Sequence, residues 1–409
     1  MEDTERTVTA NHEDSNSVQH QQIWSWGAGT EGQLGTYKLN DENTPQLLHN
    51  LTNSLSFYGS ISLLSCGGAH VIALTSGGKA MTWGRGSSGQ LGHGEIVPNC
   101  LNPKLVDSLS SFNVCHVSAG WNHSGFVSDS GCLFTCGDGS FGQLGHRDHQ
   151  SYSFPVEVSL FRSKHVEQVT CGMRHTLVLT KGNVGDQLYG FGSNKRGQLG
   201  VLTDKIRSLN TPQPCLGFES AELVTVIANG DHSAAISADG RLFTWGRSFS
   251  GQSDVCVPEC LSSSLSFNQA ALGWNHGLLL TGDGEVLMLG GRHHGALGEP
   301  ERIAHARNCS DSENSHLRKV PGLDGRKVVQ IATGAEHSAV ITEDGEIYTW
   351  GWGEHGQLGL GDTDDQTSPK SVDLKNVYNH DSSILRVYCG SGFTFVVGTG
   401  RPQEDGSLL

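Results

Sequence analysis

Six histidines recur in one local setting: a small residue, Gly (Asn229 in one copy), two variable residues, then His. They are His70, His123, His175, His232, His276 and His337. Imidazoles at matched positions could hold a metal or act as general bases. Each lies in a separate repeat, however, so a ring of repeats would hold them apart. No HExxH pair is present, and no Ser/His/Asp set is identifiable by motif. Buried imidazoles bonded to neighbouring backbone are therefore expected. Eleven cysteines include no CxxC pair. Cys132 and Cys136 fall in an apparent strand, where positions i and i+4 lie about 13 Å apart, too far to share a metal. Cys256 and Cys260 have the same spacing. This usage points to reduced, intracellular thiols. The glycine-rich segments carry no GxxxxGK[ST] phosphate loop. No metal, cofactor or covalent catalysis is expected.

The informative positions are the two residues between Gly and His. They read Gly68-Ala69, Trp121-Asn122, Met173-Arg174, Gly230-Asp231, Trp274-Asn275, Ala335-Glu336 and Ser391-Gly392. Symmetry places all seven pairs on one face of a ring, so that face carries whatever differs between repeats. Large and charged residues on loops are what recognition surfaces use. Trp121, Asn122, Arg174, Asp231, Trp274, Asn275 and Glu336 form the candidate partner-binding set.

The elements that must position these residues follow from a second pattern, an aromatic residue and Gly followed by Gly-Gln-Leu-Gly. It starts at Trp26-Gly27 with Gly32-Gln33-Leu34-Gly35, and recurs at Trp83, Cys136, Phe191, Trp245, Leu289 and Trp350. Successive copies are 57, 53, 55, 54, 44 and 61 residues apart, a period suited to propeller blades. Between His and the aromatic lie alternating runs broken by turns such as Ala238-Asp239-Gly240 and Glu343-Asp344-Gly345, a hairpin signal. Trp26, Trp83, Trp245 and Trp350 are expected to pack between blades. The chain opens on an aromatic–Gly strand with no His strand before it. It ends on a His-type strand, with Phe393 in place of His, and no aromatic–Gly strand after it. Two such halves complete one blade if the ring closes, which removes both edges. The expectation is an all-β, seven-bladed β-propeller whose N- and C-terminal strands share a blade.

The 409 residues then form one domain, spanning 23–398, between an acidic disordered tail (1–22) and a flexible tail (399–409). An insertion over about 299–327 is the longest departure from the repeat. Lys+Arg is 27 against Asp+Glu 42, a net charge of −15, which argues against direct nucleic-acid binding. No run reaches the roughly 18 apolar residues of a membrane span, and the N-terminus lacks the features of a signal peptide.

Trp-Gly followed by Gly-Gln-Leu-Gly, interleaved with Cys-Gly-x-x-His, resembles the regulator of chromosome condensation family of seven-bladed propellers over about residues 23–398. Departures are local: Cys136, Phe191 and Leu289 replace Trp, Ser253 breaks the fifth copy, and Phe393 replaces the last His. The resemblance implies guanine-nucleotide exchange on a small GTPase through this loop face. Asp231, beside His232, matches an acidic position of the family's founding member; Glu336, beside His337, is a looser match. A protein-interaction scaffold is the alternative. The plant ultraviolet-B photoreceptor is similar too, but uses Gly-Trp-Arg-His motifs in successive blades. Trp121 and Trp274 stand in separate copies, each followed by Asn, so a Trp cluster and cross-dimer salt bridges are not expected here. The reading favours a monomer over an obligate dimer, and a cytoplasmic location with the nucleus also open to it.

Overall fold

Strand-forming runs separated by glycine turns fold back on themselves about once every 54 residues. The computed structural model describes residues 20–49, 57–182, 187–201, 206–218, 221–249, 253–291, 317–374 and 384–400. Among these, seven four-stranded antiparallel sheets form a β-propeller. Blades are numbered here by their aromatic–Gly motif, so Trp26 lies in blade 1 and Trp350 in blade 7. Blade 2 is typical, with strands Ile61–Cys66, His70–Thr75, Ala80–Arg85 and Asn99–Leu105 running from the axis outward. His70 pairs with Gly84, so the Gly-x-x-His loop and the Gly-Gln-Leu-Gly loop emerge on the same face.

Blade 1 is built from both chain ends. His20–Gly27 pairs with Phe393–Gly400 over its whole length, from His20 opposite Gly400 to Gly27 opposite Phe393. The strands thus reach beyond the expected limits of 23 and 398. Gln21 explains part of the extension, because its side-chain oxygen accepts the Ile61 N–H of blade 2 at 2.6 Å. The supposed insertion is also shorter than the sequence suggests. Leu317–Lys319 is the outer strand of blade 6, and Val320 and Leu323 are buried in the core behind it. Residues 299–316 lie outside the described residues.

Seven apolar clusters fill the seven junctions between blades. Polar staples run through most of them. The Gln198 carbonyl of blade 4 accepts two bonds from blade 5, from Ser233 Oγ at 2.7 Å and Trp245 Nε1 at 2.9 Å. The Gln357 carbonyl of blade 7 accepts Trp26 Nε1 at 2.8 Å and Thr394 Oγ1 at 3.0 Å. Those two donors come from opposite ends of the chain, so one carbonyl helps lock the ring shut. Trp83 donates likewise to the Gln33 carbonyl at 2.9 Å, and Trp350 is fully buried at the matching place. The last Gly of the motif is forced by this contact: Gly359 has φ +72°, and a Cβ there would lie 2.8 Å from Trp26 Nε1.

The histidines join the same network. His70, His123, His175, His276 and His337 bond through Nε2 to Ser124, Thr176, Ser233, Ser338 and Thr394 of the next blade, at 2.9–3.1 Å. The expected backbone acceptor is thus replaced by a side-chain hydroxyl, supplied by the residue after the next blade's His. The exceptions obey the same rule. Phe393 takes the His place in blade 1, and its partner position in blade 2 is Val71, so both members of the pair are apolar and buried. Replacing both partners avoids an orphaned polar group. In blade 6 the partner position is Gly277, which has no hydroxyl. His232 instead lies against the carbonyls of Arg247 and Trp274 at 2.6 and 2.7 Å, and stacks on Phe249 at 4.1 Å.

The outer edge is guarded. Pro45, Pro103, Pro155, Pro212, Pro258 and Pro369 each sit in an outermost strand. Each falls within the register break of its pairing. A Pro there removes a free N–H that would recruit another strand.

His337→Phe and Thr394→Val are each expected to destabilise the fold by about 1–3 kcal/mol by orphaning a buried partner. The double variant, which copies the Phe393/Val71 junction, should be destabilised by less than the sum of the two. A denaturant-based double-mutant cycle measures this; strict additivity would show that the two groups are not coupled.

Candidate functional site

The axial ends of the Gly-x-x-His loops are tied together by backbone hydrogen bonds from blade to blade. Gly68 N–H donates to the Gly120 carbonyl, Trp121 to Gly172 and Met173 to Gly230. Trp274 donates to Ala335, Ala335 to Ser391 and Ser391 to Gly67, with all six bonds at 2.7–3.2 Å. The series breaks where Asn229 replaces Gly. Its side chain bridges the gap by donating to the Leu272 carbonyl. Gly172 shows why Gly is otherwise required: a Cβ there would stand 2.2 Å from the His175 ring.

This ring rims a channel of about 310 Å³ along the propeller axis. The first residue of every variable pair except Gly230 faces it, so Trp121, Met173 and Trp274 line the channel rather than standing out from the face. Trp121 and Trp274 were expected in separate blades without contact. Their rings meet at 5.2 Å with planes tilted 45°, because three blades' separation around the ring is short when both side chains point inward.

The second residue of five pairs reaches sideways instead. Asn122 Oδ1 accepts Arg85 Nη2 at 2.7 Å. Asp231 Oδ1 accepts Gln198 Nε2 at 2.9 Å, and Glu336 Oε1 accepts Asn275 Nδ2 at 2.7 Å. Asn122, Asp231, Asn275 and Glu336 are half-buried, whereas Arg174 is exposed with its guanidinium 4.8 Å from the Phe141 ring. The pairs therefore do not form the uniformly outward surface expected from symmetry. Sequence reading missed Arg85, whose guanidinium lies 5.9 Å from the Trp121 ring. The available signal was the repeated string Trp-Gly-Arg followed one blade later by Gly-Trp-Asn-His, at Arg85/Trp121/Asn122 and again at Arg247/Trp274/Asn275.

The five imidazoles that bond to hydroxyls beneath the face are structural and neutral. Each relay hydroxyl has one proton; Ser124, Thr176, Ser233 and Thr394 spend it on a Gln carbonyl at 2.7–3.0 Å. The imidazole must therefore donate from Nε2, leaving a bare lone pair on Nδ1. Nδ1 of His70, His123, His175 and His337 is buried with no partner among the described residues. Burial, the main cause, lowers the pKa of His70, His175 and His337 to about 3 and that of His123 and His276 to about 4. His232 is lowered by burial too, against the opposing pull of its two carbonyl partners and Asp231. Burial also pushes the thiols of Cys171 and Cys389, which line the channel, up to about 12, leaving them unreactive. Among the described residues no group of three or more His, Cys, Asp or Glu could hold a metal, and no helix is long and apolar enough to cross a membrane.

The sequence profile described as RCC1-like domain matches residues 22–396. The chain belongs to the RCC1-like domain family. It is 32% identical over 348 residues to the ultraviolet-B receptor UVR8 of Arabidopsis thaliana, covering 82% of this chain and 74% of that protein. It is 29% identical over 400 residues to the secretion-regulating guanine nucleotide exchange factor of Bos taurus, covering 92% and 82%. The human E3 ubiquitin-protein ligase HERC2 is 29% identical over 388 residues, of which this chain spans 7% of the length. Among solved structures, Prp20p of Saccharomyces cerevisiae, described with its binding to Gsp1p and histones, superposes with a TM-score of 0.79. It is 23% identical and covers 95% of this chain and 93% of that one. This RCC1-like propeller thus shares its fold with proteins of differing roles.

The neutral histidines give a signed pH dependence. Above about pH 6.5 the imidazoles are neutral in both folded and unfolded chains and contribute nothing. Below it the unfolded chain takes up protons that the folded core excludes until about pH 3–4. Stability should therefore fall as pH falls through 6.5, by about 1.4 kcal/mol per pH unit for each buried His fully within that window. Thermal melts between pH 7 and 5 test this, and the His337→Phe/Thr394→Val variant should show a slope shallower by one proton.

Proposed function

We propose that this chain is a regulatory propeller that binds a small GTPase through the Gly-x-x-His face and promotes nucleotide exchange on it. The observation that carries this reading is the concentration of blade-to-blade differences around one rim, on a scaffold otherwise occupied with its own hydrogen bonds. The likeness to the secretion-regulating exchange factor over 92% of this chain supports it. Asp231 stands at that rim beside His232, with Gln198 fixing its carboxylate. Exchange needs no covalent step. A face that binds the nucleotide-free GTPase more tightly than the loaded form expels GDP by reciprocal coupling. The ten described cysteines are free thiols, which supports a reducing compartment such as the cytoplasm or nucleus. A scaffold without exchange activity is the competing reading.

The Trp121–Trp274 contact and the likeness to UVR8 favour a second reading, ultraviolet-B sensing. Against it, the neutral amides of Asn122 and Asn275 follow the two tryptophans, where that receptor's motif carries arginine. We expect native mass to be unchanged by ultraviolet-B irradiation; a light-driven change in oligomeric mass would make the sensing reading the better one.

Capture from extract, with and without EDTA, tests the exchange reading. Stripping Mg²⁺ and nucleotide should strengthen retention of a small GTPase, and GTP with Mg²⁺ should release it. Asp231→Asn and Glu336→Gln retain an acceptor oxygen for Gln198 and Asn275 while removing charge. The double variant should melt close to wild type yet lose most of this capture. Retention indifferent to nucleotide leaves the scaffold reading.

A further inference from the structure

The carboxylates around the channel mouth accept hydrogen bonds from neutral side chains, and the arginines there form no ion pair among the described residues. Asp138 accepts bonds from Ser140 and from Gln143 Nε2, Asp231 from Gln198, and Glu336 from Asn275. Arg85, by contrast, reaches only the neutral Asn122 oxygen, and its Nε–H is buried without an acceptor among the described residues. Arg174 has Phe141 beneath it, and Arg247 is exposed; neither forms an ion pair among the described residues. A buried guanidinium donor left unpaired calls for an explanation, and an anionic acceptor is the simplest.

The placement of these arginines is regular. Arg85 and Arg174 come from the blades on either side of Trp121, and Arg247 from the blade preceding Trp274. The duplicated Arg, Trp and Asn sets meet through their tryptophans at 5.2 Å. The result is an apolar pad over the channel with three guanidinium groups on its flanks, set among the carboxylates of Asp138, Asp231 and Glu336, which neutral amides hold in place.

We infer that the channel mouth is a docking site for an acidic segment of a protein partner, with an apolar side chain seated on Trp121 and Trp274 and flanking carboxylates paired to Arg85, Arg174 and Arg247. Aromatic and arginine side chains are the groups that most often anchor such contacts. Bidentate pairing with a carboxylate would satisfy the fork of Arg85. A single-stranded nucleic acid fits less well. Base stacking needs an open aromatic face, and these rings are half-buried and tilted against one another. The inference deepens the proposed function, because it names what the same rim recognises in its partner.

The test uses the full-length chain against an array of short synthetic peptides. Two apolar residues are flanked by Asp/Glu, by Asn/Gln or by Lys/Arg, with an acidic series lacking the apolar pair. Hits are measured by titration calorimetry, and a polythymidine oligonucleotide serves as the nucleic-acid probe. Acidic peptides with the apolar pair should bind best, and weaken as salt is raised. Arg85→Gln with Arg247→Gln should lose affinity at least tenfold, and so should Trp121→Leu, while their circular dichroism and melting stay near wild type. If a variant fails to fold, Arg174→Gln alone, at an exposed side chain, should still weaken binding severalfold. No binding by any acidic peptide, equal binding by the Lys/Arg series, tighter binding of the oligonucleotide, or full affinity in the arginine variants would each overturn the inference. The peptide assay contains no GTPase. Loss of peptide binding with nucleotide-sensitive capture intact removes this inference alone; the reverse result removes the exchange reading alone.

Discussion

The backbone carbonyl of the Gln in Gly-Gln-Leu-Gly, seen at Gln33, Gln90, Gln143, Gln198 and Gln357 among the described residues, is the point on which the ring depends. Adjacent blades in a propeller share no strand pairing, so their registry comes from the backbone bonds of the axial loops and, through the junctions, from side chains. The Gln198 and Gln357 carbonyls each bind an indole N–H and a hydroxyl from the next blade, using both lone pairs in a dry junction. A buried bond of this kind contributes modestly when made and is expensive when broken. The glycines, the buried tryptophans and the histidines all follow from it. Each Gly clears space for a ring, each Trp or hydroxyl supplies a donor, and each His holds the hydroxyl in the orientation that lets it donate.

Closure depends on the same contact. Without pairing between His20–Gly27 and Phe393–Gly400, blade 1 would be two exposed edges at opposite ends of the sequence. Thr394 and Trp26 then bring both ends onto the Gln357 carbonyl, so strand pairing and the staple reinforce each other. The proline in the outer strands deals with the edges that closure cannot remove. Strand pairing and staples thus satisfy most of the ring, leaving bare lone pairs on Nδ1 of His70, His123, His175 and His337 in the junctions and a donor on Arg85 Nε at the mouth, all without a partner among the described residues.

Much of this was legible in the sequence, because seven imperfect copies can be compared with one another. The aromatic–Gly and Gly-x-x-His motifs located the strands, and the unmatched half-blades at the two ends gave the closure. Two relationships stayed hidden for physical reasons. The hydroxyl partner of each His lies one residue past the His of the next blade, about 54 residues away, and only the packing shows that these positions touch. Once that is known, Phe393 with Val71 reads as an apolar pair, and His232 opposite Gly277 as a residue that must find its partners elsewhere, at the Arg247 and Trp274 carbonyls. The direction of the variable side chains was equally hidden. Periodicity places Trp121 and Asn122 on one loop, but it does not tell which turns to the axis and which to the neighbouring blade. Residues 299–316 lie outside the described residues, and the remainder of the supposed insertion is the outer strand Leu317–Lys319 and a turn that buries Val320 and Leu323.

The distinction between scaffold and site then becomes one of unspent bonding capacity. His70 and Trp83 are conspicuous as chemistry-bearing side chains, yet their Nε2 and Nε1 groups are committed to the junctions. Their positions repeat because the ring repeats. Arg85 is conspicuous for the opposite reason. Its Nε–H is buried without an acceptor, beside an indole pair that the scaffold does not need for registry, since neither Trp121 nor Trp274 belongs to the aromatic–Gly series. Arg85 still serves the fold through the 2.7 Å bond from its Nη2 to Asn122 of the next blade; the Nε–H is the donor that this bond leaves over.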